Sequence, residues 1–183
     1  MINKKQTIQK GFTLIEVLIA VFILITAVVV PLTIGSKGIF YSNFVRDQSI
    51  ASYLVQEGME YVRLQRDNIF LAQNTNVPDP QIAAWGEFTR ILNACGNREQ
   101  SACFIGKNGF TACSDGLCEP MYVDDRGRYV TDGTGEPSKF TRTIKTQSLT
   151  EPLRMRVDVT VSWKTNTLER EITVTNYLMP WQI

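Results

Sequence analysis

Two groups of residues in this chain of 183 have the types and spacing to do chemistry: four cysteines, Cys95, Cys103, Cys113 and Cys118, and several carboxylates in unusual settings. The thiols offer disulfides or a four-thiolate metal site. Among the carboxylates, Asp124, Asp125, Asp132 and Glu136 crowd a glycine-containing stretch, while Glu16 is the only ionisable side chain in an apolar run from Phe12 to Ile34. Histidine is absent, which excludes a histidine general base and histidine metal ligation. No serine sits in a Gly-x-Ser-x-Gly turn. Acids lying among glycines are ordinarily solvated turns, which argues against an anchored hydrolase built on them. Oxygen-rich turns can also ligate calcium; no EF-hand spacing is present, and the sequence leaves that question open.

The run Phe12 to Ile34 is 23 residues long. As a helix it reaches roughly 35 Å, enough to cross a hydrocarbon core of about 30 Å. Ahead of it, Met1 to Gly11 carries Lys4, Lys5 and Lys10 and no acid, a bias that keeps the N-terminus cytoplasmic and sends the rest of the chain outward. A secretory signal has a shorter apolar stretch and a small-x-small cleavage site, and nothing after Ala27 fits one well. An ionised side chain at the centre of a membrane helix costs on the order of 2.5–3.5 kcal/mol, and less near the edge. Glu16 is therefore either a carboxylate reaching the interface from a plain signal anchor or a residue that has a partner.

The heptapeptide Gly11-Phe12-Thr13-Leu14-Ile15-Glu16-Val17 resembles the processing site of type IV prepilins and of the pseudopilins of type II secretion. The resemblance implies that a membrane-embedded prepilin peptidase cuts after Gly11 and N-methylates Phe12. It also implies a role for Glu16 as the acidic partner of the N-terminal amine of a neighbouring subunit in a filament, which gives a carboxylate in lipid the counter-charge it needs. Further implied partners are other pilin or pseudopilin subunits, met through the N-terminal helix, and an inner-membrane assembly platform.

An even number of cysteines in an exported segment reads as two disulfides, and three connectivities are open. The sequential pairs Cys95–Cys103 and Cys113–Cys118 close the shortest loops and are preferred. A zinc site is disfavoured because no Cys-x-x-Cys knuckle is present. The formal net charge is +1, and loss of the three leader lysines turns it negative, which argues against a nucleic-acid binder. Arg142, Lys145, Arg154, Arg156 and Lys164 are most simply the wet side of strands, interspersed with Asp158. No cofactor is called for.

The elements that position these residues follow from pattern. Pro31 removes a helical hydrogen bond and is expected to kink or loosen the apolar helix, and Gly35-Ser36-Lys37-Gly38 gives a second soft point. From Phe40 to about Leu71 few breakers occur, so the helix resumes, with Phe40, Phe44, Ala51, Leu54, Gly58 and Tyr61 on one face toward a soluble domain. Asn74 to Pro80 ends it, and a short helix is expected over Ala83 to Asn93. Residues 94 to 120 read as a loop held by its bridges. Met121-Tyr122-Val123 and Arg128-Tyr129-Val130 flank a turn at Asp124-Asp125-Arg126-Gly127. Phe140 to Lys145, an alternating strand over Arg154 to Lys164, and Leu168 to Leu178 complete an antiparallel sheet.

The expected fold is therefore α+β and pilin-like, a long N-terminal helix with a transmembrane first half packed on a C-terminal antiparallel sheet. Its parts are a leader at 1–11, a transmembrane or filament-core helix at 12–34, the outer half of that helix at 35–72, and a globular head at 73–183 with a disulfide loop at 94–120 and a β-sheet at 121–178. The expected function is that of a non-enzymatic minor pilin or pseudopilin in a type IV pilus or type II secretion-like filament. It would first span the cytoplasmic (inner) membrane once, N-terminus inside and C-terminal domain outside, and then join a pilus or a periplasmic or extracellular filament. The alternative is a membrane-anchored binding or adhesion protein that never enters a filament.

Overall fold

The computed structural model describes residues 11, 13–72, 77–96, 101–114, 117–150, 153–165 and 167–180. They divide into two compact units, one ending at Arg46 and one beginning at Asp47. A single helix, α1 (Leu14–Leu71, 58 residues), contributes to both. It continues through Pro31, Gly35 and Gly38 without a break. The loosening expected at Pro31 does not interrupt it: one proline removes one backbone donor, and the flanking turns keep theirs.

From Leu14 to Ile34, within the first unit, α1 is apolar on every side apart from Glu16 and two hydroxyls. Leu14, Phe22, Leu24 and Leu32 are each more than 60% exposed, and the other large apolar residues of the stretch are about half exposed or more. The few hydroxyls are satisfied within the helix: Thr26 donates to the carbonyls of Phe22 and Ile23 at 3.0 Å each, and Thr33 to that of Val30 at 2.7 Å. Such bonding removes the cost of a bare hydroxyl in an apolar medium.

In the second unit α1 becomes one-sided. Ala51, Leu54, Val55, Met59, Val62 and Phe70 are buried, spaced so that they share a stripe, and they pack on an antiparallel sheet. The expected face was partly right: Ala51, Leu54 and Gly58 are buried and Tyr61 half-buried, but Phe40 is exposed. α2 (Pro80–Ile91) follows, opened by Asp79, whose Oδ1 accepts from the Ile82 amide at 3.0 Å, and by Pro80 at the first turn. Its Ala84, Trp85 and Phe88 join the core. A 3-10 turn, Asn93–Cys95, leads out of it.

The strands are β1 (Cys103–Gly106), β2 (Gly109–Ala112), β3 (Tyr122–Val123), β4 (Tyr129–Val130), β5 (Glu136–Pro137), β6 (Phe140–Thr150), β7 (Leu153–Thr165) and β8 (Leu168–Leu178). The main sheet has the order β2-β1-β6-β7-β8, and β4-β3-β5 form a second, small sheet. β7 shows the alternation anticipated for it: Met155, Val157, Val159, Val161 and Trp163 are buried and the residues between them face outward. Two differences from the sequence-based expectation stand out. Residues 94–120 are not simply a loop, because β1 and β2 lie within them and extend the main sheet, with Cys103 opposite Ile144. The hairpin at 122–130 belongs to the small sheet instead of the main one. Four-residue strands carry too little periodicity to be read from sequence, and strand order is decided by contacts far along the chain.

Candidate functional site

The segment Gly11 to Val17 lies at the start of α1. Gly11 is exposed and lies outside the helix, and among the described residues no atom comes within 4 Å of where its Cβ would stand. Phe12 lies outside the described residues. Thr13 caps the helix: the Glu16 amide donates to the Thr13 carbonyl at 3.1 Å and to Thr13 Oγ1 at 3.4 Å, and the Val17 amide donates to the same carbonyl at 3.2 Å. Thr13-Leu14-Ile15-Glu16 is thus a capping-box sequence, with Glu16 three residues past the cap and in the first turn. This local signal was available in the sequence and gives the carboxylate a favourable place at the positive end of the helix dipole. Glu16 itself is exposed.

All four cysteines are bridged, Cys95 to Cys103 and Cys113 to Cys118, with Cα separations of 4.7 and 4.6 Å. The first bridge is fully buried and ties the 3-10 turn after α2 to the start of β1. The second is half-exposed and closes a small ring after β2, with Leu117 at 79% exposure in that ring. Cys113 is held by its amide, which donates to the Ala102 carbonyl at 2.8 Å.

The acids near the glycines make turns. Asp124 accepts from the amides of Arg126 and Arg128 at 3.0 and 2.8 Å and pairs with the Arg128 guanidinium. Those bonds, led by the Arg128 amide, hold its carboxyl below the usual aspartate range. Gly127 at φ 76° completes the reversal, a conformation that side chains with a Cβ resist. Asp132 accepts from the hydroxyl and amide of Thr134, which likewise lowers its pKa. Asp125 and Glu136 are exposed.

One basic residue was misplaced by sequence reasoning. Lys145, Arg154, Arg156 and Lys164 lie on the outer face of the main sheet, but Arg142 points inward between Phe140 and Ile144 and is 4% exposed. Strand parity was the available signal, since Phe140, Arg142 and Ile144 alternate on one face. Arg142 Nη1 donates to the Leu54 carbonyl at 3.2 Å and to Glu57 Oε2 at 3.0 Å, reaching across to α1. Burial pulls its pKa below the usual arginine range, an effect that Glu57 opposes. Gly58 makes this approach possible, because a Cβ there would stand 2.9 Å from Arg142 Cδ and 3.0 Å from Val159 Cγ1. A second polar bridge joins buried Asp47 to Lys139 at 2.5 Å. Beside Arg142 opens a cleft of about 820 Å³, with walls from α1, the β1–β2 turn and β4.

Residues 7–30 match the model of the prokaryotic N-terminal methylation motif, the type IV prepilin-like signature. No curated protein and no solved structure matches the chain. The chain thus carries a prepilin-type N-terminal motif that overlaps the start of a long helix, in an α+β layout.

Proposed function

We propose that this protein is a prepilin-like structural subunit, a minor pilin or pseudopilin, that assembles into a type IV pilus or a related secretion filament. The observation that carries this reading is the methylation motif at residues 7–30. The apolar, all-round exposed surface of α1 from Leu14 to Ile34 supports it, because only lipid or a bundle of like helices covers such a surface on every side. In this reading a prepilin peptidase removes residues 1–11 and methylates Phe12, the precursor waits in the cytoplasmic membrane with its head outside, and α1 later packs in the filament core. The role is structural, not catalytic.

Intact-mass measurement of membrane-extracted protein tests processing: a chain beginning at methylated Phe12 supports the proposal, and one beginning at Met1 in cells with active peptidase sinks it. The role of Glu16 is tested by two substitutions. Glu16→Gln keeps a residue able to close the capping box but removes the charge, whereas Glu16→Leu removes both. If the carboxylate pairs with a neighbour's amine, both variants insert and lose their leader yet fail to enter sheared filaments. Normal incorporation of Glu16→Gln would assign the residue to helix capping instead.

A further inference from the structure

We propose that Ile39, Phe40 and Tyr41 anchor α1 in the lipid headgroup layer of the outer leaflet, and that this anchor sets the helix so that Glu16 stands in the headgroup layer of the inner leaflet. The inference rests on the membrane stage of the proposed function and concerns the first unit alone. The apolar run ends at Ile34, yet α1 passes through Gly35 and Gly38 without a break, and large apolar side chains resume just beyond Lys37. Ile39, Phe40 and Tyr41 are 46–70% exposed. The Phe40 and Tyr41 rings meet edge to face at 6.0 Å, an apolar body with a hydroxyl at one tip. Exposed groups of this kind favour the membrane–water interface, which satisfies both ends.

Distance fixes the register. Glu16 and Tyr41 lie roughly 37 Å apart along the axis at about 1.5 Å per residue, and a tilt of about 20° shortens the span to roughly 35 Å. The hydrocarbon core is about 30 Å thick and the bilayer with its headgroups about 40–45 Å. Both groups therefore fit the two headgroup layers at once. Were the core to end at Ile34, Glu16 would lie about 3 Å inside its inner edge and Tyr41 about 10 Å beyond its outer edge, past the headgroups. Charge points the same way. Between Ile34 and Asp47 the charged side chains are Lys37 and Arg46, both exposed, and no acid is among them, which suits a layer of lipid phosphates. Lys37 stands about 6 Å inside the level of Tyr41, a distance that its side chain covers by extending outward. In this register the carboxylate of the precursor is hydrated, and it needs a counter-charge only once the helix leaves the bilayer.

The test places tryptophan reporters on the full chain in phosphatidylcholine vesicles that carry a nitroxide either near the carbonyl end of the acyl chain or midway down it. Val17 and Phe40 are equally far from the centre of the proposed register, and Val28 is close to that centre; all three are about half exposed. Trp85 and Trp163 are buried in the head, so the wild type supplies the background signal. Val17→Trp and Phe40→Trp should show matching profiles, each quenched at least about twofold more by the shallow nitroxide than by the deep one, and Val28→Trp the reverse. Deep quenching of Val17→Trp with no quenching of Phe40→Trp would place the boundary at Ile34 and overturn the anchor while leaving the membrane span intact. Absence of quenching at Val28→Trp would overturn the span and the anchor together. Anchoring itself is read by adding Phe40→Ser and Tyr41→Ser to the Val17→Trp chain. Its reporter should then move deeper, with the ratio of deep to shallow quenching rising at least about twofold. An unchanged ratio would show that the aromatic pair does not hold the register.

Discussion

The stretch of α1 from Leu14 to Ile34 and the stretch from Asp47 to Phe70 share one secondary structure and have opposite surroundings. In the first, the large apolar side chains are 49–81% exposed, on all sides. In the second, one stripe is buried against the head and the opposite side carries Glu57, Glu60 and Asp67. Helix formation does not distinguish them; the distribution of polarity around the axis does. A stripe can be satisfied by one sheet inside the same chain, whereas a uniformly apolar cylinder needs an apolar medium or like helices. Polar groups follow the same division. Thr26 and Thr33 bond back to their own helix, while Asp47 and Glu57 reach residues 92 and 85 positions away in sequence.

The largest expected effect sets the two stretches against each other directly. Leu54→Ala should remove about 2–5 kcal/mol from the stability of the head, since Leu54 is buried in the core, and Leu24→Ala should leave it within experimental error. Denaturant unfolding followed by tryptophan fluorescence measures both. A comparable loss for Leu24→Ala would break the comparison, by showing that the first stretch is part of the folded core.

Next in size are the bridges. Replacing Cys95 and Cys103 together by Ser should cost about 2–4 kcal/mol. Because the Cys95–Cys103 bridge is buried and the Cys113–Cys118 bridge half-exposed, mild reductant should open the second first. Timed alkylation with peptide mapping reads the order, and simultaneous opening would mean that the buried bridge is no better protected.

Glycine substitutions should change sign along the helix. Ala at Gly35 or Gly38 meets nothing within 4 Å and should stabilise α1 by about 0.5–1 kcal/mol. Ala at Gly58 gains the same propensity but forces Arg142 and Val159 aside, for a net loss of about 1 kcal/mol. Circular dichroism melts of the three variants sharpen the comparison, and a stabilised Gly58→Ala would show that the Arg142 contact yields freely.

The smallest effect is confined to one turn of the head. Asp124 titrates below the ordinary aspartate value of about 3.9, so its contribution to the turn is fully present above that pH and is lost as the pH falls through the lower, folded-state pKa. Carboxyl carbon shifts of Asp124 followed by NMR during acidification should show the depressed midpoint, and Arg128→Gln should move it back up.

Much of this was legible from residues a few positions apart. The lysines ahead of Gly11, the apolar run and the motif around Gly11 define the N-terminal segment; the alternation from Arg154 to Lys164 defines a half-buried strand; Asp124 to Gly127 defines a turn. Each rests on short-range physics: the period of a strand, the reach of a cap, the φ that a glycine allows. The turn between β3 and β4 lies where the sequence placed it, yet the sheet that it joins was not legible, because sheet membership is a matter of distant neighbours.

The sequence by itself determined where the chain is apolar all round, where it alternates, and that four thiols in one region have partners to choose among. Tertiary structure decided the rest. It brought Cys95 within 4.7 Å of Cys103 and so selected among pairings the spacing left open. Likewise it drew β1 and β2 into the main sheet from a segment that reads as loop. Arg142, one basic residue among several, became a buried cation because the parity of β6 turned it toward Gly58, the position on α1 where no side chain stands in the way. The last two choices depend on groups tens of residues apart meeting at van der Waals distance, which a local pattern does not encode.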